Sequence, residues 1–163
     1  MKKIVLFLTS FVVWIILTWS WPLAVQELIV GAIVSVIVAI IFGEIFTVKP
    51  LKLFQPSRHI YFLIYIPVFL YYCLKANVDV AWRVLHPKMP ISPGFVKIKT
   101  NLKDETALTM LANSITLTPG TLTVDIKDGY IYVHWLNVRA KEVKEATEII
   151  SKRFEKIIRR IFE

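Results

Sequence analysis

Leu28-Ile29-Val30-Gly31-Ala32-Ile33-Val34-Ser35-Val36-Ile37-Val38-Ala39-Ile40-Ile41-Phe42-Gly43-Glu44-Ile45-Phe46 is the stretch that decides what kind of chain this is. Its one charge, Glu44, stands near its end. A helix needs about 20 apolar residues to cross a hydrocarbon core of about 30 Å, so this run is long enough to span. Its small residues, Gly31, Ser35, Ala39 and Gly43, fall four apart. At about 100° per residue such positions stay on nearly one face and form a groove. Lipid gives helices no hydrophobic reason to associate, and small residues let backbones approach closely enough for packing to do so. The row predicts a docked helix-packing face.

Upstream, Ile4–Gln26 carries no Asp, Glu, Lys or Arg and reads as a first span. Lys2 and Lys3 before it resemble the start of a signal peptide, but no small-x-small cleavage pattern follows. Trp14, Trp19 and Trp21-Pro22 suit an interfacial anchor and a turn instead. Residues 1–58 are thus expected to form a transmembrane helical hairpin. Glu44, about one turn from the end of the second span, is expected to snorkel to the interface. As an intramembrane carboxylate it is also a candidate modulator of an ion path.

Downstream, His59–Leu74 is again free of Asp, Glu, Lys and Arg, but it is short and holds Pro67, Tyr61, Tyr65, Tyr71 and Tyr72. Tyrosine belongs at the headgroup level more than at the bilayer centre. The helix is expected to continue past Lys75, Asn77, Asp79 and Arg83 towards Leu85, becoming amphipathic, until His86-Pro87-Lys88-Met89-Pro90 stops it. Residues 59–90 are therefore read as an aromatic-rich, membrane-associated helix and proline linker at the inner interface. A full crossing is the alternative, and it would put the C-terminal part outside. Lys2, Lys3, Lys49, Lys52 and Arg58 flank the spans on one side, whereas Ser20–Glu27 has no positive charge. The positive-inside rule places the N-terminus and the 47–58 loop in the cytoplasm, and the interfacial reading keeps the C-terminal domain there too.

Composition agrees. The 163 residues are 56% apolar, against about 45–50% in an average soluble domain, and the mean hydropathy is +0.60. Disorder is excluded by that content. The net charge is +8, yet before Lys75 the only charged residues are Lys2, Lys3, Glu27, Glu44, Lys49, Lys52 and Arg58. A single cysteine, Cys73, rules out an internal disulfide and a multi-cysteine metal site.

From Ile91 the pattern becomes that of a small cytoplasmic α+β domain, 91–163, of order β-α-β-β-α. Phe95–Lys99 alternates as a half-buried strand does, and Asp104 or Thr106 can cap a helix running to about Ala112. Leu122–Lys127 and Tyr130–Leu136 flank the hairpin turn Asp128-Gly129. Val143, Ala146, Ile150, Phe154, Ile157 and Ile161 mark one face of a last helix, with Glu148–Lys152 and Glu155–Arg159 as supporting pairs. About 70 residues make a thin core, expected to lean on the membrane or on partners.

The residues for chemistry are sparse. His59, His86 and His134 stand alone, Cys73 has apolar or aromatic neighbours, and the chain lacks a phosphate-binding glycine loop, a nucleophile elbow or a metal-binding His-Glu pair. No catalytic, cofactor-binding or metal-ligating residue is expected, and the chain is not read as an enzyme. Its basic residues suit a face near anionic lipid better than nucleic acid, because acidic residues accompany them. Leu111–Asp125 reads as a helix end, a Pro-Gly turn and a strand. Thr118-Pro119-Gly120-Thr121 fits a type II turn, with Gly120 at positive φ, and the hydroxyls of Ser114, Thr116, Thr118 and Thr121 can satisfy backbone groups left open.

The string Ala112-Asn113-Ser114-Ile115-Thr116-Leu117-Thr118-Pro119-Gly120-Thr121-Leu122-Thr123-Val124, followed by Tyr132-Val133-His134-Trp135-Leu136, resembles the E-type component of the multisubunit cation/proton antiporters of the Mrp or Mnh type. The resemblance extends over the apolar N-terminus and Lys75-Ala76-Asn77. It implies an accessory integral membrane subunit of a Na⁺/H⁺ antiporter, or of the sodium-translocating module of archaeal membrane-bound hydrogenase-type complexes. Other integral membrane subunits, packed on the Gly31, Ser35, Ala39 and Gly43 face, and the bilayer are then the expected partners. A membrane-anchored domain that captures a soluble partner at the cytoplasmic surface is the alternative.

Overall fold

The computed structural model describes residues 2–18, 24–43 and 55–163, in two units, 1–54 and 55–163. In the first, α1 (Lys2–Thr18) and α2 (Val25–Phe42) form an antiparallel hairpin. Thr9, Ser10 and Thr18 donate their hydroxyl protons to the carbonyls of Val5, Leu6 and Trp14, so these polar groups are satisfied inside the helix, as hydrocarbon surroundings demand. Val5 and Leu6 of α1 and Gly31, Ser35 and Ala39 of α2 are buried, while most Ile and Val residues of both helices stay exposed.

The second unit begins with α3 (Pro56–Leu85), about 45 Å long at 1.5 Å per residue. Pro56 opens it at a position where no amide hydrogen bond is lost, and Pro67 lies inside it. Its end falls at His86, as the proline-rich run predicts. Among the described residues, α2 and α3 are the helices long and apolar enough to cross a membrane by length and composition.

There follow β1 (Gly94–Lys99), α4 (Glu105–Leu117), β2 (Thr121–Lys127), β3 (Tyr130–Trp135), α5 (Val143–Ile150) and α6 (Lys152–Phe162). The strands form one antiparallel sheet in the order β1-β3-β2, with Ile98 opposite Ile131 and Ile131 opposite Ile126. Asp128 (φ 53°) and Gly129 (φ 75°) make the turn between β2 and β3, both at the positive φ that a type I′ hairpin requires. A bulge between Thr123 and Asp125 leaves Val124 unpaired and exposed.

One sheet face, Val96, Ile98, Ile131, Val133 and Trp135, is covered by Ala107, Leu111 and Ile115 of α4 and by Ala146, Ile150, Phe154 and Ile158 of α5 and α6. The α3 helix lies on those helices, where Tyr65 joins the core and Phe69 and Tyr72 meet the ring of Phe154. The thin core is thus completed by the aromatic residues of α3.

Two local details differ from the sequence reading. Asp104 caps α4 by accepting from the amides of Thr106 and Ala107, but the helix runs to Leu117, five residues beyond Ala112. Ser114 and Thr118 bond back to the carbonyls of Met110 and Ser114, so these residues stabilise the last turn instead of ending it. The single last helix is two, broken at Ser151, whose carbonyl accepts from Phe154 and Glu155 to start α6. The break turns Ile158, not Ile157, fully into the core.

Candidate functional site

The small residues of α2 face α1. An added Cβ on Gly31 would lie 2.5 Å from Cδ1 of Trp14, and one on Gly43 would meet Lys3. Trp14 donates its Nε1 proton across the hairpin to the carbonyl of Glu27 at 3.1 Å. The row expected to dock on another subunit therefore meets the chain's own first helix. The periodicity marks a close approach of backbones but not whose backbone approaches. Glu44, the carboxylate considered for the ion path, lies outside the described residues, as do Trp19, Trp21, Lys49 and Lys52.

The α3 helix has two unlike faces. One is engaged with its own unit along the whole length. Arg58 donates to the carbonyl of Ile161, Tyr65 shares a buried hydrogen bond of 2.8 Å with Ser114, and Cys73 faces the carbonyl of Leu117. Further on, Asp79 pairs with Arg83 and with Arg139, and Arg83 donates to the carbonyl of Pro90. The opposite face carries Ile60, Leu63, Leu70, Leu74, Val78 and Leu85, all exposed.

The Thr118–Thr121 turn has the geometry its residues dictate. Thr121 donates its amide proton to the carbonyl of Thr118, and Gly120 stands at φ +86°. The Thr121 hydroxyl donates to the carbonyl of Ile115, and the Thr116 hydroxyl accepts from the amide of Thr123. The amide of Leu136 donates to the carbonyl of Gly120, tying the turn to the end of β3. The turn is a rigid junction between the helix layer and the sheet, and nothing in its bonding is chemically reactive.

The histidines are separate from one another. His59 bonds to the carbonyl of Gln55, His86 lies against Trp82, and His134 packs edge-on to Phe95. Sequence reasoning singled out the turn and the small-residue row but missed Arg153. Its guanidinium lies 4.1 Å from the ring centroid of Tyr72, with the Nε proton buried and without an acceptor. Burial pushes this guanidinium below its ordinary value. An arginine in the first turn of α6 gives no sequence signal, because its burial comes from α3, about 80 residues earlier in the chain.

The profile of the family described as "MNHE: Na+/H+ ion antiporter subunit" matches residues 7–161. The E1 component of the Na⁺/H⁺ antiporter of Staphylococcus haemolyticus is 35% identical over 164 residues, covering 96% of this chain and 94% of that protein. The E component of the Na⁺/H⁺ antiporter of Alkalihalophilus pseudofirmus is 47% identical over 79 residues, 47% of this chain and 50% of the relative. Among solved structures, a chain of the membrane-bound sulfane sulfur reductase, an archaeal respiratory membrane complex, superposes with a TM-score of 0.83 at 45% identity. That match covers 99% of both chains. With a family profile over nearly the whole length, a full-length relative and a full-length structural counterpart in agreement, the chain belongs to the MNHE family of Na⁺/H⁺ antiporter subunits, membrane proteins whose relatives work in multisubunit complexes.

Proposed function

We propose that this chain is an accessory, assembly-supporting subunit of a multisubunit Na⁺/H⁺ antiporter, or of the sodium-translocating module of a membrane-bound respiratory complex. The observation that carries this reading is the placement of charge in the hairpin. Among its described residues the ionisable groups are Lys2, Lys3 and Glu27, all at helix ends. A proton or cation relay across the bilayer needs ionisable groups at successive depths. The described hairpin offers none between its ends, so the ion path belongs to other subunits.

The two-faced α3 supports a place for the C-terminal domain. If α3 crossed the bilayer, the domain packed along it would carry Lys152, Lys156 and Arg159 into hydrocarbon, at about 2.5–3.5 kcal/mol for each charge. With α3 lying flat, its exposed apolar face enters the lipid and the domain stays in water. The positive-inside rule makes that side the cytoplasm.

Purification of the native complex in mild detergent tests the reading, with co-elution of large multi-span subunits expected. A lone chain would overturn it. Replacing Glu44 by Gln keeps the shape and removes the charge. We expect normal assembly and reduced but measurable sodium-dependent proton flux in vesicles, whereas complete loss of flux from an intact complex would put this carboxylate on the ion path. A second reading, a membrane-anchored domain that captures a soluble partner, is favoured by the uncovered sheet face. There Phe95, 74% exposed, lies beside His134 and Leu122 in one cross-strand row. Co-elution with a soluble protein in place of multi-span subunits would select it.

A further inference from the structure

Behind the Thr118–Thr121 turn lies a cavity of about 140 Å³, walled by α3, the turn, the end of β3 and the α5–α6 junction. That is several times the ~30 Å³ share of one water molecule. Three cations from three separate elements line it: Lys75 of α3, Arg139 of the segment after β3, and Arg153 of α6. Its one carboxylate, Asp79, is already held by both Arg83 and Arg139. Among the described residues Lys75 meets no carboxylate, and Arg153 has only the rings of Tyr72 and Phe154, with its Nε proton unanswered. The hydroxyl protons of Thr118 and Thr121 are committed to the carbonyls of Ser114 and Ile115. The free donors at this cavity are therefore its cations, the Tyr72 hydroxyl and the Trp135 indole N–H.

We propose that the cavity binds a phosphate group, held by Arg153, Lys75 and Arg139. A half-buried guanidinium whose Nε proton is buried without an acceptor is costly, and its partial burial already weakens its hold on its proton. An anion supplies what is missing. Guanidinium groups bind phosphate oxygens through charge-assisted, often paired, hydrogen bonds. Several oxygens on one tetrahedral centre can serve three cations arriving from different directions, which the two oxygens of a carboxylate cannot do as well. The Arg153 guanidinium rests on the Tyr72 ring, and Pro119 of the turn lines the same cavity.

The phosphate has two sources, a phospholipid headgroup or free phosphate. The lipid source rests on the flat placement of α3 proposed above, which sets Lys75 at headgroup level; the chemistry of the cavity does not. Titration of the full chain in an uncharged detergent, with inorganic phosphate and with a short-chain phosphatidylglycerol, distinguishes them. A glycolipid of the same chains serves as control. We expect one or both phosphates to bind, and Lys75→Gln and Arg153→Gln each to weaken binding at least tenfold, about 1.4 kcal/mol. Lys156→Gln, exposed on α6 and outside the cavity, should leave binding unchanged. Arg153→Gln also removes the stacking on Tyr72, so Lys75→Gln decides if that variant unfolds. Binding of phosphatidylglycerol alone assigns a headgroup site, and binding of inorganic phosphate assigns the free ion. Absence of both, equal binding of the glycolipid, or indifference to Lys75→Gln would overturn the proposal.

Discussion

Gly31→Ala adds one methyl group where α2 approaches Trp14 of α1 closely. Its Cβ would lie 2.5 Å from Cδ1, 2.8 Å from Nε1 and 3.0 Å from Cγ of Trp14. Carbon atoms in contact prefer about 3.5–4.0 Å, so the indole must recede by roughly 1 Å. Its Nε1 lies 3.1 Å from the Glu27 carbonyl oxygen to which it donates, and a retreat of that size carries it past hydrogen-bonding range. Overpacking costs about 1–3 kcal/mol, and an interhelical hydrogen bond in a membrane averages about 0.6 kcal/mol. The variant should therefore lose about 1.5–3.5 kcal/mol of hairpin stability, and Trp14→Phe, which loses the bond but keeps an aromatic ring, much less. Helix loss on titration with a denaturing detergent, followed by circular dichroism of the full chain, measures both. In a Trp14→Ala background the three atoms nearest that methyl are gone, so the double variant should cost clearly less than the sum of the two. A Gly31→Ala hairpin that unfolds like wild type, or costs that simply add, would refute the close approach of Gly31 to Trp14.

Two further outcomes bear on the second unit. Gly120→Val should lower the stability of the C-terminal domain by about 1–3 kcal/mol, because a β-branched residue is strained at φ +86°. An added Cβ has room, 3.5 Å from Val80, so Gly120→Asn, which tolerates positive φ, should cost much less in a thermal melt. A chain starting at residue 55 should fold in mild detergent, whereas one starting at 91 should fail to give a cooperative melt. The shorter chain would expose the core faces against which Tyr65, Phe69 and Tyr72 pack; a cooperative melt from it would show that α3 is dispensable to the core.

Much of the second unit is written in local patterns. The alternation of Phe95–Lys99, the Asp104 cap, the Asp128-Gly129 turn and Gly120 at positive φ each depend on residues within a few positions, and each is where its pattern predicts. What the patterns could not carry is pairing across distance. The four tyrosines of the third apolar run look interfacial by composition, yet Tyr65 is buried on Ser114 and Tyr72 packs on Phe154 and Arg153. Arg153 shows the same gap in reverse, a surface-type residue on a charged helix that is half-buried where Tyr72 of α3 packs on it. The Ser151 break was hidden because a heptad-like apolar row continues through it, and only the packing on β1 reveals the phase change.

The small-residue row changes meaning once its partner is known. With Gly31, Ser35 and Ala39 turned onto α1, the hairpin presents Ile29, Ile33, Val36 and Ile40 of α2 and Leu8, Val12 and Ile16 of α1 to its surroundings. These residues hold backbones apart, so contacts made through them depend on side-chain interdigitation and not on close backbone approach. β-Branched residues have few rotamers, and a face built from them can match a complementary face with little loss of side-chain freedom. A bulky substitution at Gly31 would then act on assembly through the shape of the hairpin, by displacing α1 from α2 and misaligning that outer face. Hairpin stability and complex recovery should for that reason fall together in any series of Gly31 variants. A variant that keeps the hairpin intact yet loses the complex would mean that the row itself touches another subunit.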